Sequence, residues 1–418
     1  MSTSLRPLHL VETWLPVSTG YTSRSAALVA AQDRSTDLAP RVLVTSRQSV
    51  QGSGAVQTQL DGVDFGERIR VLSPSPAERR RRRIQAFALD PARLTRETVT
   101  MIDEVGADLV HTHWSSAIGS AGLSAARQRG LPLVAEVRFD LAGAVTAQTA
   151  RLRPERARSA LEAGLRRHFE RHLSQADAVV AAGESLARLL ERSVPSLQGR
   201  VAVAANGCDP VRFAPGPPDA DLLQHYGLRD RIVVGTTATM LRYEGLDLLL
   251  ESAARLRSSH PELAILLVGD GPERARLEQQ ARHLGVDCVF TGKVSAEQVA
   301  AHYRLLDVMA IPRRDIAVTR YAGPLKLLEA MASGRACLAT AVGDIPGLLA
   351  HGRGRLVASG AGDQFTQAFE DVLDDPDARA EMGRRSRQHS VESTTWAAAA
   401  QVHQEVYADL GERGLVCR

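Results

Sequence analysis

Short apolar runs alternate with stretches of helical spacing along almost the whole chain. In the first half LHLVETW, RVLVTS, RIRVL, ADLVHTHW, LPLVAEVRF, ADAVVAAG and VAVAAN read as strands. Between them, helical spacing predicts helices from Ser25 to about Gln32, around SAGLSAARQRG, from about Pro154 to Gln175, and from about Glu184 to Arg192. The densest turn and proline region, Asn206-Gly207-Cys208-Asp209-Pro210 followed by APGPPD, interrupts this series near residue 206. A second series starts at RIVVGTTATM and continues through LDLLLESAARLRSSH, LAILLVGDG, PERARLEQQARHLG, CVFTG, SAEQVAAHYRLL, VMAIP, PLKLLEAMA, ACLAT and GRLVA.

Strand–helix alternation of this kind predicts parallel strands with crossover helices. The expected fold class is therefore α/β, with two Rossmann-like doubly wound domains, 1–205 and 206–395, facing across a deep cleft. Ligands in such sheets bind beyond the carboxyl ends of the strands. In the closing helix around WAAAAQVHQEVYADL, Trp396, Ala400, His403 and Tyr407 fall near helical spacing. That stripe needs a surface to bury against, so residues 396–418 are expected to cross back to the first domain.

Composition narrows the classes. Hydrophobic content of 44% supports large cores, and 24% charged residues is ordinary for a soluble protein. A formal net charge of +3 is too mild for nucleic acid, and 4% aromatic residues offers few stacking platforms. Cys208, Cys288, Cys337 and Cys417 are far apart and form no CxxC pair, which fits a reducing cytoplasm and gives no metal site. The start of the chain lacks a signal-peptide pattern, and no apolar run is long enough to span a membrane. The expected location is cytoplasmic. The run Glu78-Arg79-Arg80-Arg81-Arg82-Arg83 reads as a solvated face. Its sharper reading is a peripheral membrane contact through Arg79–Arg83, or a patch for a phosphorylated acceptor.

Candidate chemistry concentrates in Arg313–Gly334, RRDIAVTRYAGPLKLLEAMASG. Gly323 allows close backbone approach, Pro324 suits a first helical turn, and Leu325, Leu328 and Met331 can share one face. Lys326 in that first turn makes the helix start an anion site. Lysine occurs in the chain only at Lys293 and Lys326, and the remaining basic residues are arginine. A compact point charge at Lys326 fits a phosphate. In the first half, Gly20 stands at a strand-to-helix turn. His111 and His113 alternate at a strand end and point the same way. His113 there either orients a substrate hydroxyl or is satisfied by backbone. Glu136 and Arg138 end the next strand on one side.

These residues resemble the GT-B glycosyltransferases of family 4, the retaining, sugar-nucleotide-dependent group. The run VGDGPERARLEQQARHLGVDCVFTGKVSAEQVAAHYRLLDVMAIPR carries the likeness most specifically, and ANGCDPVRFAP is similar to the family's interdomain segment. GYTSR (Gly20 to Arg24), DLVHTHW, PLVAEVR and ADAVVAAGESL agree more loosely. The resemblance implies a donor linked to UDP or GDP and a small-molecule, glycan or lipid-linked acceptor, with no other cofactor. It implies that Glu329 holds the ribose hydroxyls, that Gly292 and Lys293 lie in the base-reading segment, and that Gly20 lies near the donor phosphate. It places His113 beside the reacting sugar, and Gly269, Asp270 and Gly271 at a strand-end turn by the cleft.

Three positions depart from the pattern: Tyr321 replaces the first Glu of the E-x7-E signature, Thr239 an Arg, and Glu244 a Lys. The last two normally supply charge for the leaving diphosphate, so Lys326, Arg242 or Arg320 must take over, or the site is weakened. Glu244 then turns away from the diphosphate or serves the acceptor. No evident carboxylate pair flanks a bond to be broken, and no DxD metal site is apparent. Transfer with retention along a front-face path needs neither. Two other readings stay open: a non-catalytic nucleotide-sugar-binding relative, and another enzyme on the fold, such as a nucleotide-sugar epimerase or a phosphorylase.

Overall fold

The computed structural model describes residues 4–17, 20–35, 37–48, 56–60, 62–75, 89–113, 116–140 and 155–416. Arg79–Arg83 and Trp114 lie outside them. The chain divides into two compact units, one of residues 1–205 with 396–418, the other of 206–395.

The first unit runs β1 (Pro7–Val11), α1 (Gly20–Asp33), β2 (Arg41–Val44), a small hairpin of β3 (Gln59–Leu60) and β4 (Val63–Asp64), β5 (Ile69–Val71), α2 (Pro91–Val105), β6 (Leu109–His113), α3 (Ser116–Arg129), β7 (Leu133–Val137), α4 (Glu155–Leu173), β8 (Ala178–Ala181), α5 (Glu184–Ser193) and β9 (Val201–Val203). Apart from the hairpin the strands form one parallel sheet, ordered β5-β2-β1-β6-β7-β8-β9. Every residue of β1, β6 and β7 is buried, as expected for strands covered on both faces. Local signals set the helix ends. Asp90 accepts from the N–H groups of Ala92 and Arg93, Pro91 opens α2, and Gly106 closes it in the left-handed conformation.

The second unit runs α6 (Ala220–Tyr226), β10 (Ile232–Thr237), α7 (Leu246–Leu256), β11 (Leu263–Val268), α8 (Arg274–Leu284), β12 (Cys288–Gly292), α9 (Ala296–Arg304), β13 (Val308–Ile311), α10 (Ala317–Tyr321), α11 (Leu325–Ala332), β14 (Ala336–Thr340), α12 (Ile345–Leu348), β15 (Arg355–Val357), α13 (Gly362–Asp374) and α14 (Pro376–Ser393). Its parallel sheet is ordered β12-β11-β10-β13-β14-β15. The order reverses between β10 and β13, and the loops after these two strands carry most of the residues discussed below.

The closing helix α15 (Trp396–Glu412) belongs to the first unit. Its Trp396, Ala399 and Ala400 pack on Leu28 and Ala31 of α1. Tyr407 and Leu410 join a core with Leu109, Val134 and Val180 of the sheet.

Two element boundaries differ from the pattern-based expectation. Helix α1 starts at Gly20 instead of Ser25, because Thr22 and Arg24 are buried on its inner side and Ser25 Oγ donates to Tyr21 O at 3.0 Å. Helix α11 starts at Leu325, with Pro324 just outside it in extended conformation. On α11 it is Leu327, Leu328 and Met331 that are buried, and Leu325 is only half-buried.

Candidate functional site

In the second unit the loops after β10 and β13 touch through a glycine. Gly245 has φ +69°, and a Cβ there would stand 1.9 Å from Pro312 O. That approach brings Glu244 beside Arg313. Arg313 donates to Glu244 through Nη2 at 3.1 Å and Nε at 3.3 Å. Lys326, from the first turn of α11, donates to Glu244 Oε2 at 2.5 Å. Arg313 also donates from Nη1 to Ala322 O at 3.0 Å, which ties down the loop entering α11. All three side chains are nearly buried.

Two cations share one carboxylate here, so the cluster carries a net positive charge at a helix start. Burial pushes the Glu244 carboxyl up, but Lys326 and then Arg313 outweigh it and hold it at about 2. Burial also draws the Lys326 ammonium below its usual range, against the pull of Glu244. Glu244 is thus buried as the internal counter-charge of Arg313 and Lys326.

Glu329 lies one turn further along α11. Its Oε2 accepts from the Tyr303 hydroxyl at 2.6 Å. Burial raises its pKa, opposed by that hydrogen bond and by the Arg212 and Lys326 charges. Asn206 Nδ2 donates to Gly323 O at 3.0 Å, fixing the turn before the helix. Gly269, at the end of β11, has φ +128°, and a Cβ there would meet Ala238 O at 2.0 Å. At Gly271 a Cβ would meet Met240 N and O at 2.6 Å. Both are positions of close backbone packing within the unit.

The remaining expected residues of this unit do not join the cluster. Arg320 pairs with Asp315 at 2.5 Å and is half exposed. Arg242, Thr239 and Lys293 are exposed, and Tyr321 is half-buried. Arg242 and Lys293 make no side-chain ion pair among the described residues. Arg313 was not singled out in the sequence, although it directly follows the strand VMAIP. Neither was Tyr303, which reads there as one more large residue in a helix.

The first unit holds a second polar cluster. Glu136, on β7, is fully buried, and its Oε1 accepts from Arg24 Nε at 3.0 Å and from Arg138 Nε at 2.7 Å. Its Oε2 lies 2.9 Å from His403 Nε2 on α15 and 3.5 Å from His111 Nε2. Burial pushes Glu136 up, yet Arg24 and Arg138 hold it well below the usual carboxylate range. Arg138 also donates from Nη1 to Ser25 Oγ at 2.7 Å and to Tyr21 O at 3.0 Å, and its Nη2 donates to His113 Nδ1.

That last bond fixes the tautomer of His113. With Nδ1 accepting, the ring proton sits on Nε2 and donates to His9 Nδ1 at 2.8 Å. Burial and then the Arg138 charge keep His113 well below the usual imidazole range. Burial likewise lowers His111 to about 4. His111 Nδ1 accepts from the Tyr407 hydroxyl at 2.5 Å. His9, His111 and His113 carry ring nitrogens within 4.8 Å of one another. Among the described residues His9 Nε2 and His111 Nε2 are buried without a hydrogen-bond partner, and the His111 and His113 rings stack at 4.9 Å.

Five of the residues expected at the site, Gly20, Arg24, His113, Glu136 and Arg138, lie in this unit. Glu136, 0% exposed, and Arg24, 2% exposed, pair with each other and are internal. They tie the end of β7 to α1. His113, 5% exposed, has both ring nitrogens engaged within the unit. Gly20 is an exposed residue at the start of α1.

Two parallel-sheet Rossmann-like units of this kind define the GT-B class of fold. Solved structures agree. Sucrose-phosphate synthase from Thermosynechococcus elongatus superposes with a TM-score of 0.72 at 18% identity, covering 98% of this chain and 100% of that one. Anabaena HepE in complex with UDP and glucose gives 0.71 at 19% identity, covering 97% and 100%. Residues 29–212 match the family model Glycosyltransferase Family 4, and residues 224–389 match Glycosyl transferases group 1. The chain belongs to the group 1 glycosyltransferases. It is similar to a GDP-mannose-dependent alpha-(1-6)-phosphatidylinositol monomannoside mannosyltransferase of Mycolicibacterium smegmatis, 35% identical over 200 residues, which is 46% of this chain and 51% of that protein. It is also similar to a D-inositol 3-phosphate glycosyltransferase of Streptomyces avermitilis, 30% identical over 314 residues, 72% of this chain and 65% of that protein. The chain thus spans about half the length of the first of these relatives.

Proposed function

We propose that this protein transfers a sugar from a nucleoside diphosphate sugar to an acceptor hydroxyl with retention of configuration. The observation that carries the reading is the Glu244–Arg313–Lys326 cluster at the start of α11, with Glu329 one turn beyond. Breaking a glycosyl–phosphate bond leaves charge on the diphosphate, and preorganised cations with helix N–H groups stabilise it. Lys326, with the N–H groups of Leu325 and Lys326, holds the diphosphate, while Glu329 accepts from the ribose. On a front-face path the acceptor oxygen bonds to the anomeric carbon as the glycosyl–phosphate bond breaks. The acceptor proton passes to the leaving phosphate oxygen.

The names of the relatives make GDP-mannose the first donor to test, with UDP-sugars next, and inositol-bearing phosphates or lipids the first acceptors. The first unit is assigned to the acceptor. Transfer requires no divalent metal in this reading.

A thermal-shift panel of GDP-mannose, UDP-glucose and the free nucleotides tests binding, because a ligand of the folded state stabilises it by RT ln(1 + [L]/Kd). Transfer to inositol phosphate or phosphatidylinositol is then followed by mass spectrometry, and the anomeric configuration by NMR. Stabilisation by a nucleotide sugar with neither transfer nor donor hydrolysis would make this a binding protein. An inverted product would remove retention.

A further inference from the structure

Tyr303 is fully buried on α9, packed edge-on against Phe213 with ring centroids 5.6 Å apart. Its hydroxyl lies 2.6 Å from Glu329 Oε2 and 2.6 Å from Thr237 Oγ1 at the end of β10. An ionised carboxylate only accepts, so the Tyr303 O–H donates to Glu329 and the Thr237 hydroxyl donates to Tyr303. A one-way chain therefore runs from the sheet to Glu329. It engages Oε2 and leaves Oε1 without a hydrogen-bond partner among the described residues.

We propose that Tyr303 is a positioning residue of the donor site, pinning Oε2 so that Glu329 presents Oε1 to the ribose hydroxyl pair. The proposal rests on the reading of Glu329 as the ribose acceptor. It makes Tyr303, which touches no ligand itself, a determinant of ribonucleotide over 2′-deoxyribonucleotide binding. A carboxylate free to rotate meets two hydroxyls less well and loses most of its preference for them.

The same bond sets a pH signature. The ionisable groups around Glu329 are Tyr303 from α9, Arg212 and Cys208 from the segment entering the unit, and Lys326 from its own helix. Burial raises Glu329, while Tyr303, Arg212 and Lys326 oppose the rise. Replacing Tyr303 by Phe keeps the ring and removes only the hydrogen bond. Glu329 then protonates at higher pH, and a neutral carboxyl is a poorer acceptor for two hydroxyls.

The test is titration calorimetry of the full chain with GDP and 2′-deoxy-GDP, or with the UDP pair if GDP does not bind, from pH 5 to 8. For Tyr303→Phe we expect roughly tenfold weaker ribonucleotide binding at neutral pH. We also expect a smaller ribo-to-deoxy ratio, and an acid limb moved to higher pH. Glu329→Gln separates the two layers. If Glu329→Gln binds GDP like wild type, or if neither nucleotide binds wild type, the ribose reading falls and this inference with it. If Glu329→Gln weakens binding while Tyr303→Phe keeps the wild-type ratio and acid limb, only the positioning role falls. Should Tyr303→Phe not fold, Thr237→Val removes the donor behind Tyr303. A smaller change in the same direction supports the chain, and an unchanged acid limb overturns it.

Discussion

Nζ of Lys326 lies 2.5 Å from Oε2 of Glu244, eighty-two positions earlier in the chain. In this unit the lysine is on the helix and the carboxylate is on the loop, where the family pattern has a lysine. The pair reverses a charge without abolishing the cationic character of the site, because Arg313 is held by the same carboxylate.

Lys326→Ala should weaken binding of the nucleoside diphosphate and leave the free nucleoside nearly unchanged. Charge-assisted bonds to phosphate contribute on the order of 1.5–3 kcal/mol. The expected loss is therefore roughly ten- to a hundredfold. Calorimetry with GDP and guanosine decides it. Wild-type affinity for GDP in the variant would move the assignment to Arg313, which belongs to the cluster as Arg320 and Arg242 do not.

Acid should destabilise the second unit through Glu244. Its carboxyl is held at about 2 in the fold, against an ordinary value of 4.5. A group depressed in the folded state stabilises above its unfolded value, and that stabilisation fades as pH falls from about 4.5 through about 2. The size is on the order of 3 kcal/mol. Glu244→Gln should flatten this part of the stability profile and lower stability at pH 7, since two buried cations lose their partner. Equal acid sensitivity in wild type and variant would refute it.

The first unit offers a clean reporter, because Trp14, Trp114 and Trp396 all lie in residues 1–205 or 396–418. Glu136→Gln leaves Arg24 and Arg138 buried without their counter-charge, and should cost about 3–5 kcal/mol. Tyr407→Phe removes one hydrogen bond to His111 and should cost about 1 kcal/mol. Urea titration followed by tryptophan fluorescence measures both. Equal midpoints for Glu136→Gln and wild type would show that Glu136 is not the hub of the cluster.

His113→Ala should lower turnover while leaving the Kd for GDP within twofold, a small difference. The reason is that His113 holds Arg138, and both belong to the unit assigned to the acceptor. Steady-state rates beside calorimetry test this. A loss in GDP affinity equal to the loss in kcat would place His113 on the donor instead.

The alternation of apolar runs and helical spacing was enough to read both sheets and the break near residue 206, because parallel strands buried on both faces leave uninterrupted apolar runs such as LAILLV. Lys326 and Glu329 were legible as polar side chains of one helix, and their types suit the phosphate and ribose roles proposed for them. Pairings across long separations were not. Nothing local tells that Glu244 meets Arg313, or that Glu136 collects Arg24, Arg138 and His403 from three different elements. Burial adds what the sequence cannot show: fully enclosed, Glu136 is the shared counter-charge of Arg24 and Arg138. Tyr303 was hidden for the same reason, since a tyrosine in a helix reads as core until its hydroxyl has a partner.

The return of α15 to the first unit makes residues 206–395 an insertion within a split domain. The inserted stretch enters and leaves at one place, with Cys208 bridged to Thr395 and Cys208 N donating to Thr394 O at 2.9 Å. During synthesis the inserted unit is complete while the enclosing one still lacks His403, Tyr407 and Leu410. The enclosing unit therefore closes its polar cluster only after the inner one has been made, inverting the usual N-terminal-first order. For the same reason residues 206–395 form one continuous segment of the chain, whereas the enclosing unit is assembled from two.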